Sequence, residues 1–426
     1  MMTKYISFLC LLLVMTACHK AYPGLYAPEI DYENPNPEVT TDHVPIMLSM
    51  YDPLYALVTT RKYGTFEAWG SSAEAQKHWM DARFGVYAFL TNNAQYTGGP
   101  DYTKPEAGED TGIPYCLVKD RKVRLTKDCE LLWEDEITRY YSATYPEYKF
   151  NFFLYYLDNA KVTGENNTEP ARVVKRIEVD GTQDILSAYA YPDAHDRDKL
   201  VTDDDESRYL INHWNDVVYS ARSGRRRIDP NFKVKHEMTQ LQFTLEGMRD
   251  VASKIIVEAV IVTIPYRGDF TVAADWDGVR LDNAGMEPPT GVVWDYTATK
   301  DIYLSEKKQT DFDETTKREN GRLDLSVAKG VTKNAGRAIL VPPAPSYGIS
   351  VWYRYDDDSY PTLQGKLFNV VFDKMTAPGG DAFATGGRHV VNLQIYGPQL
   401  INLTVDRSSL GWTEFKGEIN VDGGWD

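Results

Sequence analysis

The chain has 426 residues, a length that favours two domains of ordinary size. Hydrophobic residues make up 42% and charged residues 25%, which is the composition of a globular protein and excludes an intrinsically disordered chain. The formal net charge of −16 argues against binding to nucleic acid and against electrostatic docking on an anionic lipid surface.

The N-terminus has the three zones of a secretory signal peptide. Lys4 supplies the positive charge, an apolar stretch runs from Ile6 to Met15, and small residues precede Cys18. About ten apolar residues are too few to cross a hydrocarbon core of about 30 Å. The sequence therefore predicts a cleaved signal peptide at 1–17 rather than a permanent anchor.

The four residues Met15-Thr16-Ala17-Cys18 resemble the lipobox of bacterial lipoproteins. This resemblance implies cleavage before Cys18 and lipidation of that cysteine, which would hold the mature chain on a membrane outside the cytoplasm. An ordinary signal peptide with a chance cysteine is the alternative. The proline-rich segment 18–45 predicts an extended tether between the lipid and the globular part.

Two cysteines remain to be placed, because Cys10 leaves with the signal peptide and Cys18 carries lipid. Cys116 and Cys129 flank a charged stretch that favours a hairpin with its ends together. One interpretation is a disulfide, which an oxidising compartment permits and which would add a few kcal/mol of stability. The other is two separate buried thiols.

Short runs rich in Tyr, Val, Ile, Thr, Phe and Trp, separated by Gly, Pro, Asn and Asp, predict β-strands along most of the chain. The clearest strand candidates are 46–51, 84–90, 148–156, 349–355, 391–395 and 401–406. The last three alternate apolar and polar residues, which predicts antiparallel sheets with one buried face. Helices are predicted only around 72–79 and 130–140.

The segment 234–245 changes phase in its alternation. One apolar face includes Val234 and Met238, and the alternation restarts at Leu241. One extra residue near Thr239 and Gln240 predicts a β-bulge. The following run, 255–262, is apolar on both faces and predicts a central strand of the same sandwich.

A turn-rich zone at 276–289 predicts the boundary between two tandem β-sandwich domains. The first domain is predicted to span 46–285 and the second 286–426. The fold class predicted from the sequence is therefore all-β.

No catalytic, metal or cofactor motif appears, since Gly-x-Ser-x-Gly, His-Glu-x-x-His, Cys-x-x-Cys and phosphate-binding glycine loops are all missing from the sequence. We therefore expect neither an enzyme nor a bound cofactor. Acidic clusters at 193–198, 203–206 and 356–358 lack EF-hand spacing and are interpreted as solvated turns, with a cation site as the alternative. His236, within an apolar alternation, is interpreted as a hydrogen-bonded core histidine.

The order of these features resembles the fimbrillin-like lipoproteins of the Bacteroidota, the family that contains the type V pilin subunits. After the lipobox, the matching segments are Thr59-Thr60-Arg61, Gly64, 84–90, 215–221, 236–245, 338–343, 386–397 and Trp412. The resemblance implies two transthyretin-like, Greek-key β-sandwiches and a structural role in a cell-surface fimbria that supports adhesion. A stalk, tip, anchor or accessory subunit fits the sequence equally well.

The resemblance also implies an assembly mechanism. A trypsin-like protease cuts after an arginine at the end of the first strand, and a strand from another subunit fills the groove that opens. In this chain the strand lies within Val44–Val58, and the cut falls between Arg61 and Lys62. No Lys or Arg occurs between Lys20 and Arg61. A surface arginine in a turn is the alternative for Arg61.

The implied partners are other fimbrial subunits, the outer membrane through lipid on Cys18, and a host or bacterial surface ligand. The location is the outer membrane, the cell surface or the fimbrium. A surface glycan-binding lipoprotein is the alternative function, and it would share the signal, tether and sandwiches. Trp276 and Trp352 would then form the platform on which a sugar stacks.

Overall fold

The structure is a computed structural model. It describes residues 44–50, 58–62, 65–68, 73–91, 100–106, 113–166, 168–190, 192, 196, 200, 204–214, 218–275, 290–304, 323–397 and 400–407. These residues form an all-β protein, in which short helices only cap and connect the sheets. Within these ranges, none of the helices is long and apolar enough to cross a membrane.

The strands of the first half are β1 (Leu48–Met50), β2 (Val58–Lys62), β3 (Thr65–Ala68), β4 (Phe84–Leu90), β5 (Cys116–Leu125), β6 (Glu130–Trp133), β7 (Phe150–Tyr156), β8 (Lys161–Asn166), β9 (Arg172–Glu178), β10 (Leu186–Ala190) and β11 (Asn231–His236). The helices are α1 (Ala73–Asp81), α2 (Asp205–Asn212), α3 (Ala221–Gly224) and two 3₁₀ turns, Asp250–Lys254 and Pro378–Gly380.

The strands of the second half are β12 (Thr239–Gly247), β13 (Ile255–Pro265), β14 (Arg267–Ala274), β15 (Gly291–Trp294), β16 (Thr299–Tyr303), β17 (Thr332–Asn334), β18 (Ile339–Val341), β19 (Tyr347–Tyr355), β20 (Leu367–Met375), β21 (Arg388–Gly397) and β22 (Leu400–Arg407).

Seven strands close a barrel in the order β1-β11-β10-β7-β4-β5-β6. Every residue of β4 and β7 is buried. Their inward side chains, such as Val86 and Leu154, belong to the barrel core. Their outward side chains, such as Tyr87 and Phe153, lie under a second sheet of order β15-β14-β9-β8 and contribute to a separate core with Phe270. Both faces of β4 and β7 are therefore shielded from solvent.

A charged network around the buried Lys175 lies where this second sheet covers the barrel. The Nζ atom of Lys175 is 3.1 Å from Oδ2 of Asp120 and 2.7 Å from Oε2 of Glu165. Tyr155 and Lys122 also donate hydrogen bonds to Asp120. Burial alone would raise the pKa of Asp120, but these neighbours hold it below its usual value. The network orients β9 on β5 and β7.

The second unit is a β-sandwich. One sheet has the order β17-β12-β21-β22, with β18 also pairing with β12, and the other has the order β16-β13-β19-β20. The barrel core ends in sequence at Phe232, and the sandwich core begins at Leu241. Strands β12 and β13, which the predicted domain 46–285 includes, therefore contribute to the second core, while β14 and β15 return to the sheet on the barrel. The predicted boundary residues 276–289 lie outside the described residues.

Several predicted elements are confirmed. The first helix and the strands predicted at 84–90, 349–355, 391–395 and 401–406 are present, and β13 is a central strand between β16 and β19. The alternation of β19 is complete, with buried and half-buried residues taking turns over its whole length.

Two predicted elements are wrong. Residues 130–133 form the strand β6 rather than a helix, because Leu131 and Trp133 face the barrel while Leu132 faces outward. The phase change near Thr239 is not a bulge. Strand β11 ends in the barrel at His236, and β12 begins in the β-sandwich of the second unit at Thr239. The alternation changes phase because the two strands belong to different sheets.

Candidate functional site: the first strand and its groove

The N-terminal segment 44–50 fills a groove in the barrel wall. Val44, Ile46, Leu48 and Met50 point into the barrel core and are between 1% and 4% exposed. The residues between them are half-buried or exposed. This alternation is the sequence signature of a strand with one buried face.

Backbone hydrogen bonds hold the segment along both borders. On one side β1 pairs antiparallel with β6, with Leu48 opposite Leu131, and on the other it pairs parallel with β11, with Met50 opposite Phe232. Beyond the strand, the Ile46 amide donates to the carbonyl of Arg139 at 2.8 Å. Removal of 44–50 would leave these backbone groups of the two borders without partners.

The end of the groove at Val44 is narrow. A Cβ atom at Gly224 would lie 2.8 Å from Cγ1 of Val44 and 3.1 Å from Cε2 of Tyr141. The absence of a side chain at Gly224 lets α3 lie directly on the segment. The Tyr141 amide in turn donates to the Val44 carbonyl at 2.9 Å, and burial raises the pKa of Tyr141 well above its usual value.

Helices α2 and α3 hold this end of the barrel in place. Asp204 caps α2 by accepting hydrogen bonds from the amides of Glu206 and Ser207. Arg222 of α3 then joins the two helices, because its guanidinium lies 2.8 Å from Glu206 and 2.6 Å from Glu147. The cluster 203–206 was predicted as a solvated turn. Its described residues 204–206 instead begin α2 and connect it to α3.

The border opposite Ile46 is a short loop, 134–139, held by Arg139. The Arg139 guanidinium donates to Asp135 at 2.6 Å and lies 4.6 Å from the centre of the Trp133 ring. Hydrogen bonds from Arg139 lower the pKa of Asp135 to about 2. The border is therefore a fixed surface rather than a loose connection.

The residues predicted for processing lie beside this groove in sequence. Arg61 and Lys62 end β2, which pairs with β3 in a separate two-stranded sheet, and Lys62 lies opposite Thr65. The backbone there is described, whereas residues 51–57 between this hairpin and β1 lie outside the described residues. Cys18, predicted as the lipidation site, also lies outside them.

The predicted disulfide is not present. Cys116 begins β5 beside Phe89, whereas Cys129 lies in the turn that follows the other end of the same strand. About nine residues of extended chain separate these ends, roughly 30 Å at the rise of a strand. The two cysteines are separate buried thiols.

The other candidates are structural. The Nδ1 atom of His236 lies 2.9 Å from Oδ1 of Asp184, which confirms a hydrogen-bonded core histidine. Asp357 in the 356–358 cluster accepts hydrogen bonds from Ser359 and from Tyr355 and so closes a turn. No group of His, Cys, Asp and Glu within the described ranges is arranged to hold a metal ion.

Of the two aromatic residues predicted for glycan stacking, Trp352 lies among the described residues. Trp352 is half-buried on the outer face of β19, where it packs against a small cluster formed by Ala259, Ile261 and Tyr303. Trp276 lies outside the described residues, as do residues 193–195, 197 and 198 of the first acidic cluster.

Sequence reasoning missed two features of the groove. Gly224 gave no signal by itself, because its partners Val44 and Tyr141 are distant in sequence. The border loop was hidden by the helix prediction over 130–140, because Leu131, Leu132 and Trp133 are all apolar and their alternation appears only in their burial.

No protein family profile matches the chain, and no curated protein matches it. Solved structures do. A candidate cell adhesion protein from Bacteroides uniformis is 14% identical, with a TM-score of 0.43, and the match covers 87% of this chain and 99% of that chain. A second candidate cell adhesion protein, from Bacteroides ovatus, is also 14% identical, with a TM-score of 0.38 and coverage of 86% and 96%.

The fimbrial anchor protein Mfa2 from Porphyromonas gingivalis is 9% identical, with a TM-score of 0.33, and the match covers 85% of this chain and 97% of that chain. These three similar structures are cell adhesion and fimbrial anchor proteins of Bacteroides and Porphyromonas.

Proposed function

We propose that this chain is a lipid-anchored subunit of a cell-surface fimbria that receives a strand from another subunit in the groove now filled by 44–50. The observation that carries the proposal is the way the first strand closes the barrel. It contributes alternate buried side chains on one face and backbone hydrogen bonds on both edges, which are the contacts of an exchangeable strand.

The energetics support exchange rather than simple loss. Burial of four apolar side chains contributes on the order of 6–12 kcal/mol at about 1.5–3 kcal/mol each. This is comparable with the whole free energy of unfolding of a typical domain, about 5–15 kcal/mol. A barrel with an empty groove is therefore strongly destabilised. Cleavage alone leaves the strand in place, and only a competing strand displaces it.

Short ladders make this segment the exchangeable one. β1 is three residues long, whereas β4, β5 and β7 of the same barrel have seven to ten residues. In the proposed mechanism the chain is cut between Arg61 and Lys62, the strand within Val44–Val58 leaves, and lipid on Cys18 holds the uncut chain at the outer membrane.

The test is the N-terminal sequence and the oligomeric state of the protein taken from its native outer membrane, before and after a trypsin-like protease. We expect a new terminus at Lys62 and SDS-resistant oligomers. The double variant Arg61→Ala/Lys62→Ala removes both residues after which a trypsin-like protease would cut, so it should keep its original terminus, whereas the matched control Lys62→Ala leaves the bond after residue 61 cut. A protein that stays acylated at Cys18 and monomeric after protease treatment would contradict the proposal.

A further inference from the structure

An apolar patch lies on the outside of the barrel beside the groove. It consists of Met47, Leu132, Ile137 and Tyr140, which are 37%, 37%, 62% and 42% exposed. The pairing of Leu48 with Leu131 places Met47 beside Leu132 on the outer face. Tyr140 lies opposite Pro45 across the same border. Ile137 projects from the loop between them.

Ile137 is held in its exposed position by specific contacts. Its amide donates to Oδ1 of Asp135 at 3.2 Å, and its carbonyl accepts from Arg139 at 2.9 Å. Arg139 is itself fixed by Asp135 and by the Trp133 ring. A large apolar side chain kept in water on an ordered loop gains nothing for this chain alone. The arrangement instead lowers the entropy cost of binding a partner.

The charges around the apolar patch are of both signs. The exposed Arg124 lies opposite Leu132 across β5 and β6, while Arg83 pairs with Glu134 and Arg139 with Asp135. A partner that covers the patch therefore meets an apolar centre with a mixed polar rim, which is the usual anatomy of a protein interface.

We infer that the apolar patch is the docking surface for the body of the subunit that donates the strand. This inference rests on the proposed function, since the occupant is identified by the groove. Loss of 44–50 removes Met47 but leaves Leu132, Ile137 and Tyr140 along the open edge. A strand entering the groove brings the rest of its own subunit onto these side chains. The matching face of that subunit is apolar at its centre and polar at its rim.

The experiment uses photo-crosslinking in native cells, with p-benzoylphenylalanine placed at Tyr140 or at Ile137. Position 140 reports on the strand in the groove because it lies opposite Pro45. Position 137 reports on the apolar patch. Val293, 75% exposed on β15, is the control position. Each is measured with and without the double substitution Arg61→Ala/Lys62→Ala, and crosslinked peptides are identified by mass spectrometry.

We expect positions 140 and 137 to crosslink the same partner, at its donated strand and outside that strand respectively. Both crosslinks should be lost in the Arg61→Ala/Lys62→Ala protein. Ile137→Asp should lower the amount of bound partner about tenfold, as expected for an interface anchor, while Val293→Asp leaves it unchanged. A strand crosslink from 140 with none from 137, or an Ile137→Asp protein that binds normally, overturns the inference alone. No crosslink from 140 in cleaved protein overturns the proposed function with it.

Discussion

Substitution of Gly224 by alanine tests the contact between α3 and the first strand. Gly224 is the last residue of α3, where alanine is ordinarily better than glycine by about 0.5–1 kcal/mol. In this structure its Cβ would lie 2.8 Å from Cγ1 of Val44 and 3.1 Å from the Tyr141 ring. Overpacking of this kind costs about 1–3 kcal/mol. We therefore expect Gly224→Ala to lower the free energy of unfolding, against the helix propensity.

The assay is urea unfolding of four proteins: wild type, Gly224→Ala, Val44→Ala and the double variant. Val44→Ala removes the methyl group that clashes, so the cost of Gly224→Ala should fall by about 1 kcal/mol or more in that background. If Gly224→Ala lowered the free energy of unfolding equally in the wild-type and the Val44→Ala backgrounds, or raised it, the close contact between Val44 and Gly224 would be refuted. In a protein whose groove holds a strand from another subunit, the cost of Gly224→Ala would report the size of the side chain that replaces Val44.

Three further predictions follow from buried and charged groups. Arg139→Gln should raise the pKa of Asp135 from about 2 toward its ordinary value of 3.8, as measured in a carboxyl NMR titration. The depressed pKa of Asp135 stabilises the folded state above about pH 4, and this stabilisation is lost as the pH falls toward 2. The free energy of unfolding of the variant should therefore depend less on pH in this range. Burial raises the pKa of the Cys116 thiol to about 12, so it should resist iodoacetamide at pH 8 in the folded protein and react in urea without reductant; a thiol still blocked in urea would indicate a disulfide. Gly85→Ala should lower the free energy of unfolding by about 3 kcal/mol, because the new Cβ would lie 2.2 Å from Cε1 of Tyr155; an unfolding midpoint equal to that of the wild type would show that the ring moves freely.

The sequence was sufficient for elements that show their burial locally. The strand at 84–90 is a continuous apolar run, and 349–355 alternates over its full length, so both could be placed from residue types alone. The core role of His236 followed from its apolar neighbours. The helix α2 carried a signal that was overlooked, since Asp204 followed by two acidic residues is a helix start.

The remaining errors arise where distant segments decide the local structure. β6 has only four residues, too few to distinguish a period of two from a helical period, and its strand state depends on β1 and β5 at its sides. The step from β11 to β12 looks like a bulge in sequence, because a change of sheet and an inserted residue shift the alternation equally. The separation of Cys116 from Cys129 depends on the full length of β5.

The parallel pairing of β1 with β11 sets the order in which the barrel is completed during synthesis. Ser49 pairs with Asn231, so β1, the first barrel strand to be synthesised, cannot complete its pairing until β11, the last one, has been made. Until β11 is made, the side chains that will fill the groove are exposed, and the loop to be closed is long. Closure of the barrel is therefore a late folding step, and it takes place at a seam of only two residue pairs. In the proposed strand exchange, the strand that is last to be enclosed on folding is also the one that leaves.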